Sequence, residues 1–170
     1  ALDKLQGMIN LLHQGHHQQA LDGSIELLKQ FPNSITLHNI CGVVRAGFGQ
    51  HAAAINSYKR IIKINPDFAD AYYNMGVSQK DQGDQEAAID SFKRALKIKP
   101  DYIEAYANMG NAFKNKGDLD AAIKSYKQAV KIGSDYDEIH YNLGNVLKDT
   151  GELVAAIDSY KRAIKINPDY

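Results

Sequence analysis

The sequence has no tryptophan, a single cysteine, four prolines and no net charge. Because Cys41 is alone, the chain has no internal disulfide, and a reducing, cytoplasmic compartment is the simplest expectation. Its 20 basic residues balance 20 acidic ones, which argues against nucleic acid or an anionic membrane as a partner held by bulk charge. No run of about 18 apolar residues occurs, so the sequence predicts no transmembrane helix.

Patterns of catalytic and metal sites are also missing. The sequence shows no Ser/His/Asp order, no phosphate loop and no paired carboxylates that would form an acid–base pocket. His13 and His17 have the spacing of a metal-chelating pair, but no cysteine or carboxylate completes the set. We interpret these two residues and His16 as parts of a polar helix end and turn. We therefore predict no enzyme activity, no metal site and no cofactor.

Regularly spaced glycines are what the sequence has instead. They recur every 34 residues, and five such periods account for all 170 residues. A fixed period of this length predicts a stacked-repeat protein, whose function lies on an extended surface and not in an enclosed pocket. The glycines are Gly15, Gly49, Gly83, Gly117 and Gly151. The predicted array covers residues 1–170, with repeats 1–34, 35–68, 69–102, 103–136 and 137–170.

Each period predicts one helical hairpin. We number positions 1 to 34 within every repeat. Small residues at positions 8 and 20 allow two helices to approach closely, an aromatic residue at position 24 fills the space beside them, and proline at position 32 stops the second helix. Helix A is predicted over positions 2–14 and helix B over positions 17–30, with the glycine at position 15 in the left-handed conformation. Aspartate at position 33 is expected to cap the next helix A.

The first repeat departs most from this pattern. It has Met8 where the other repeats have glycine, and Ser24 where they have tyrosine or phenylalanine. We therefore predict that it is degenerate and acts as an N-terminal cap. Position 4 also varies, because two repeats have tyrosine there and the others have Lys4, His38 or His140.

These recurring positions resemble the tetratricopeptide repeat family over the whole chain, most strongly in repeats three to five. The resemblance implies an all-α, right-handed superhelical solenoid of five helix-turn-helix hairpins. It also implies a concave groove lined by positions 2, 5, 6, 9, 12 and 13 of helix A, in which proteins or peptides bind.

Asparagine and lysine stand out among the positions that the resemblance assigns to the groove. Two asparagines per helix, one turn apart, are unusual on a merely solvated face, because asparagine is a mediocre helix former. A side-chain amide can hold a peptide bond through both its donors and its acceptor. The candidate peptide-binding residues are Tyr73, Asn74, Asn108, Asn111, Lys114, Tyr141, Asn142, Asn145 and Lys148.

Three interpretations of these residues stay open. The asparagines resemble the asparagine ladder of the O-GlcNAc transferase superhelix, which implies sequence-tolerant binding of a peptide backbone. They match the carboxylate clamp of chaperone-binding repeats only in part, because position 5 lacks lysine. Alternatively, the amides bond to neighbouring helices, Tyr73 and Tyr141 pack across the groove wall, and the lysines are solvated charges.

The last repeat ends at Pro168-Asp169-Tyr170, a sequence pattern that elsewhere leads into another repeat. We expect its helix B to have an uncovered apolar face, so the chain is predicted to be part of a longer protein, with end-to-end self-association as a corollary. The leading functional prediction is a scaffold for an extended peptide or partner segment. The alternatives are a non-catalytic N-terminal recognition arm of a larger glycosyl- or sulfotransferase, and a self-assembly module.

Overall fold

The computed structural model describes residues 2–169, and every regular element in that range is an α-helix. The prediction of an all-α fold of helical hairpins is confirmed. No helix in this range combines the length and apolar character needed to cross a bilayer. The helices are α1 (Leu2–His13), α2 (His17–Gln30), α3 (Ile35–Gly47), α4 (His51–Ile64), α5 (Ala69–Asp81), α6 (Gln85–Ile98), α7 (Ile103–Lys116), α8 (Leu119–Ile132), α9 (Asp137–Asp149) and α10 (Leu153–Ile166).

The turn inside each hairpin depends on glycine at position 15. All five of these glycines have φ between +72° and +89°, as predicted, in the region that favours residues without a Cβ atom. At the end of α7, the Gly117 amide donates to the Lys114 carbonyl at 2.9 Å. The Asp118 amide donates to the Phe113 carbonyl at 3.0 Å, so two of the last four carbonyls of the helix are satisfied.

The turn between repeats differs from the prediction by one residue. Helices α3, α5, α7 and α9 begin at position 1, and the residue before each is the N-cap. Aspartate at position 33 therefore lies too early to cap, and the prediction that it does so was wrong. In the second repeat the Asp67 amide instead donates to Asn65 Oδ1 at 3.1 Å, which closes the turn before the helix starts.

The helices form two compact units, Ala1–Asp84 with α1 to α5 and Gln85–Tyr170 with α6 to α10. Within each unit, every helix packs on the next one along the chain. The first unit has one core around Ala20, Ile40 and Cys41, and another around Tyr58 and Ile61. Cys41 is buried, as predicted, and burial raises the pKa of its thiol.

Glycine at position 8 gives space to the aromatic ring at position 24. A Cβ atom added to Gly42 would lie 2.5 Å from the Tyr58 ring, and one added to Gly144 would lie 2.6 Å from the Tyr160 ring. The first repeat reverses the arrangement, because the Met8 side chain of helix A fills the space over Gly23 of helix B. The methionine at position 8 of this repeat therefore compensates for the absence of an aromatic ring at position 24.

Candidate peptide-binding face

Most of the predicted binding residues lie on two helices of the second unit. These residues, Asn108, Asn111 and Lys114 on α7 and Tyr141, Asn142, Asn145 and Lys148 on α9, are together called the Asn face below. Residues three or four apart lie on one side of an α-helix, so the amide and lysine positions of each helix share a side. Within each helix these side chains are half-buried or exposed, which leaves them within reach of a partner.

The asparagine at position 9 is bonded to the aromatic residue of its own repeat. The Tyr126 hydroxyl donates to Asn111 Oδ1 at 2.6 Å, and the Tyr160 hydroxyl donates to Asn145 Oδ1 at 2.9 Å. Burial, with the negative charge of Glu138 as a smaller cause, raises the pKa of Tyr126. The phenol therefore stays neutral and able to donate over the physiological pH range.

These bonds fix the orientation of the two amides. Because Oδ1 of each asparagine accepts from the ring hydroxyl, the NH₂ group on the other side of Cγ is directed away from the ring. Asn111 and Asn145 occupy the same position in consecutive repeats and make the same bond. Each repeat of the second unit that has this pair thus presents an NH₂ group in the same local orientation.

The other residues of the Asn face have different surroundings. Asn108 Nδ2 donates to the Glu104 carbonyl of its own helix at 3.0 Å. The Tyr141 ring lies 5.8 Å from the Tyr160 ring, centroid to centroid, and remains 40% exposed. Tyr141 therefore combines a packing contact with an open surface, so neither the packing nor the binding interpretation excludes the other.

Two predicted residues, Tyr73 and Asn74, lie on α5 in the first unit. Both are half-buried. In the second repeat, position 9 is Val43, an exposed apolar residue, so no amide is available there to accept from Tyr58. The described structure thus contains the Tyr–Asn bond only in repeats that have asparagine at position 9.

The sequence contains a signal for this bond at two repeat positions, 9 and 24. Asparagine occurs at position 9 only in repeats four and five, and both of these have tyrosine at position 24. Position 23 was not among the predicted positions: it is a buried serine in four repeats. Ser57 Oγ accepts from Arg45 Nη1 at 2.9 Å, and Ser125 Oγ donates to the Ala121 carbonyl at 2.8 Å.

The histidines near the first turn have no metal-site geometry. His13, His16 and His17 are exposed. Within residues 2–169 no group of three His, Cys, Asp or Glu side chains is placed to hold a metal ion. At position 4 the histidines are structural: Nε2 of His38 lies 2.9 Å from the Pro32 carbonyl, and Nε2 of His140 lies 2.9 Å from the Ser134 carbonyl.

Comparison with known families agrees with this architecture. Residues 49–83, 79–117 and 110–151 match a family model described as TPR repeat, and residues 138–170 match one described as tetratricopeptide repeat. The chain belongs to the tetratricopeptide repeat family. Residues 1–48, which include Met8 and Gly23, lie outside the matched ranges.

Solved tetratricopeptide repeat structures share the fold. A crystal structure of MamA is 24% identical and covers 94% of each chain, with a TM-score of 0.88. Residues 41 to the end of MamA from Desulfovibrio magneticus RS-1 are 19% identical over 98% of this chain and 97% of that one, with a TM-score of 0.88. YrrB, described as a TPR protein with an unusual peptide-binding site, is 19% identical over 100% of this chain and 88% of its own, with a TM-score of 0.82. No curated protein matches the sequence.

Proposed function

We propose that this chain is a scaffold that binds an extended peptide or partner segment on the Asn face. Tetratricopeptide repeats generally serve as non-catalytic modules for protein interaction. The observation that carries the proposal is the pair of amides, Asn111 and Asn145, whose orientation is fixed by hydrogen bonds from tyrosine hydroxyls of the same repeats. We also propose that the chain itself is not an enzyme and acts in the cytoplasm, where its single thiol stays reduced.

Fixed amides suit the recognition of a peptide backbone. An NH₂ group held in one orientation donates to a peptide carbonyl without losing rotational freedom on binding, which lowers the entropic cost. Asn142 and Asn108 add amides one turn before, and Lys114 and Lys148 add positive charge one turn after. The exposed Tyr141 ring supplies an apolar anchor of the kind enriched in binding hot spots.

The experiment is a selection from a randomised library of displayed peptides, followed by affinity measurements on the selected sequences. We expect Asn111→Ala with Asn145→Ala to weaken binding roughly tenfold or more, since each lost amide contact costs about 1 kcal/mol. The matched control is Asn56→Ala, which removes an exposed amide from α4, a B helix. Its affinity should equal that of the unaltered protein.

Circular dichroism on each variant separates loss of binding from loss of fold. If selected peptides bind the folded double variant with unchanged affinity, the Asn face is not where peptides bind. If the selection yields no binder to the unaltered protein, the peptide-scaffold proposal itself fails.

A second candidate function, self-association, rests on the apolar face of α10. Leu153, Val154, Ile157 and Ile164 are 59%, 78%, 52% and 49% exposed. In the preceding repeat the counterpart of Ile157 is Ile123, which is 6% exposed and lies in the core that includes α9. The position of Ile157 is therefore one that a following helix covers, whereas the counterparts of Val154, such as Glu86 and Asp120, are exposed. An exposed apolar patch of this kind marks an interaction site.

The opposite end of the chain does not complement that surface. Positions 3, 7 and 10 of helix A are buried as Leu37, Cys41 and Val44 in α3. In α1 the same positions are Asp3, Gly7 and Asn10, of which the two polar residues are exposed. We therefore propose a two-fold association in which α10 of one copy packs on α10 of a second copy, and not a head-to-tail stack.

A further inference from the structure

A pocket of about 570 Å³ lies in the first unit, where the turn between repeats one and two meets α4. Three of its lining residues, His38, Arg60 and Lys63, have basic side chains, and none of the lining residues that the structure describes is acidic. Its other lining residues are Leu28, Pro32, Asn33 and Ile64. None of these residues belongs to the helix A positions proposed above to bind peptide.

The histidine in this pocket is held in place by the backbone. His38 Nε2 lies 2.9 Å from the Pro32 carbonyl oxygen, so Nε2 carries the hydrogen and donates. The ring therefore has a fixed position at the wall of the pocket.

The two cations of the pocket lie on one side of α4. Arg60 and Lys63 are three residues apart, so their side chains are neighbours on the helix surface. In residues 2–169 neither forms an ion pair with an acidic side chain. Two like charges that line one concave surface repel each other, and a bound anion relieves that repulsion.

The second unit has a pocket at the same repeat positions, with one difference in charge. It has a volume of about 510 Å³ and is lined by Ser134, Asp135, His140, Arg162, Lys165 and Ile166. His140 bonds to the Ser134 carbonyl as His38 bonds to that of Pro32. Asp135, however, stands at the position of Asn33, so this pocket contains its own carboxylate.

We propose that the pocket of His38, Arg60 and Lys63 binds a phosphate dianion, and that the pocket of the second unit does not, because Asp135 places a negative charge in its lining. Arginine presents paired N–H donors that match the oxygens of a phosphate, and lysine adds a point charge. The phosphate could be inorganic phosphate or part of a phosphorylated side chain on a partner protein. This site is independent of the Asn face and of any peptide bound there.

The test is a titration of the ¹⁵N-labelled protein, followed by NMR at constant pH and ionic strength. The probes are inorganic phosphate, a short peptide with one phosphoserine, and the same peptide with serine. We expect saturable shifts at the amides of Asn33 and His38 with phosphate and with the phosphopeptide. A phosphopeptide affinity roughly tenfold above that of inorganic phosphate identifies a phosphorylated partner, and equal affinities identify the free ion.

Reciprocal substitutions supply the decisive comparison. Asn33→Asp gives the first pocket the charge of the second, and we expect it to weaken phosphate binding roughly tenfold. Asp135→Asn should create saturable binding at His140. Lys63→Gln should weaken binding, whereas Lys59→Gln removes an exposed charge from the same helix outside the pocket and should not.

Three outcomes would overturn the proposal. One is the absence of saturable shifts at Asn33 and His38 with every phosphate probe. Another is equal weakening by Lys59→Gln and Lys63→Gln, which would mean that bulk charge and not the pocket attracts the anion. The last is that the Asn33→Asp and Asp135→Asn exchanges leave both pockets unchanged.

Discussion

At the scale of single residues, the hairpins are held together by one large side chain placed over one small residue. Tyr58 lies over Gly42, whereas in the first repeat Met8 lies over Gly23. Ser24, at the position of the ring, is fully buried, and its Oγ has no hydrogen-bond partner within the described residues. In the first repeat, a side chain from the opposite helix thus fills the space that the tyrosine ring fills in other repeats.

This exchange predicts strong coupling between Met8 and Ser24. Met8→Gly should lower the free energy of unfolding by about 2–4 kcal/mol through an unfilled cavity and the poor helix propensity of glycine. Ser24→Tyr alone should cost about 1–3 kcal/mol because the ring meets Met8. The double variant should lose less free energy of unfolding than the sum of the two single losses, by at least about 1 kcal/mol. Chemical denaturation measures this difference. Additive losses would mean that the two side chains do not share one space.

Tyr58 predicts a loss of stability at alkaline pH. Burial raises its pKa from 10.0 to about 12, so the folded state keeps the phenol proton over a range in which the unfolded state releases it. The stabilisation is complete below pH 10 and is lost as the pH rises towards 12. Denaturation of the unaltered protein and of Tyr58→Phe should give a stability difference that changes by about 2–3 kcal/mol over this range. Parallel pH profiles would show that Tyr58 does not titrate with unfolding.

At the scale of elements, the boundaries of the B helices could be predicted in full. All five span positions 17–30, including α8, whose repeat has Ser134 in place of the proline at position 32. Periodicity locates such helices because the buried stripe and the turn residues recur together. The start of helix A could not be located as well, since the bond from the Asp67 amide to Asn65 Oδ1 depends on the path of the turn.

The glycine turns allow a matched comparison at this scale. Gly49 has φ +72°, whereas Gly47, two residues earlier, is the last helical residue of α3 and has no positive φ. An added Cβ meets no atom within 4 Å at either residue, so only the backbone differs. Gly49→Ala should destabilise the protein by about 1 kcal/mol, and Gly47→Ala should stabilise it by about 0.5 kcal/mol. Thermal unfolding of the two variants checks the opposite signs, and equal signs would contradict this account of the turn.

The candidate site was less predictable than the helices. Spacing alone places Asn145 and Lys148 on the same side of α9, but it does not show that the position 9 amides accept from tyrosine. That bond joins two residues to which the repeat pattern gives different roles: it assigns the tyrosine to packing and the asparagine to the groove. The exchange between Met8 and Gly23 was missed for the same reason, because it appears only when two helices are seen together.

At the scale of the whole molecule, the exposed face of α10 predicts concentration-dependent association. Sedimentation equilibrium should show dimers of the unaltered protein, and Val154→Lys should shift the population to monomers, because a charge in an apolar interface is costly to bury. Ile25→Lys, at an apolar residue of α2 that is 39% exposed, is the control and should leave the dimer intact. A monomer at every concentration would remove self-association as a function.

The arrangement of the five repeats as one array stays a prediction, as does the recognition arm of a larger transferase. Each unit nevertheless contains complete hairpins with their own buried cores. The repeat period predicts the hairpins and their cores because each hairpin is stabilised by its nearest neighbours along the chain. The sequence was therefore sufficient for the fold class, while partner and assembly depend on surfaces that the period does not encode.

Loss of the hydrogen bond from tyrosine to asparagine would change the affinity for a peptide without a change in any exposed residue. Tyr126 is fully buried, so a partner on the surface never touches its hydroxyl group. Replacing that tyrosine with phenylalanine would keep the packing but release the Asn111 amide to rotate, and a bound peptide would then have to immobilise it. One oxygen atom in the interior of a repeat can thus adjust the strength of recognition while the residues that meet the partner stay the same.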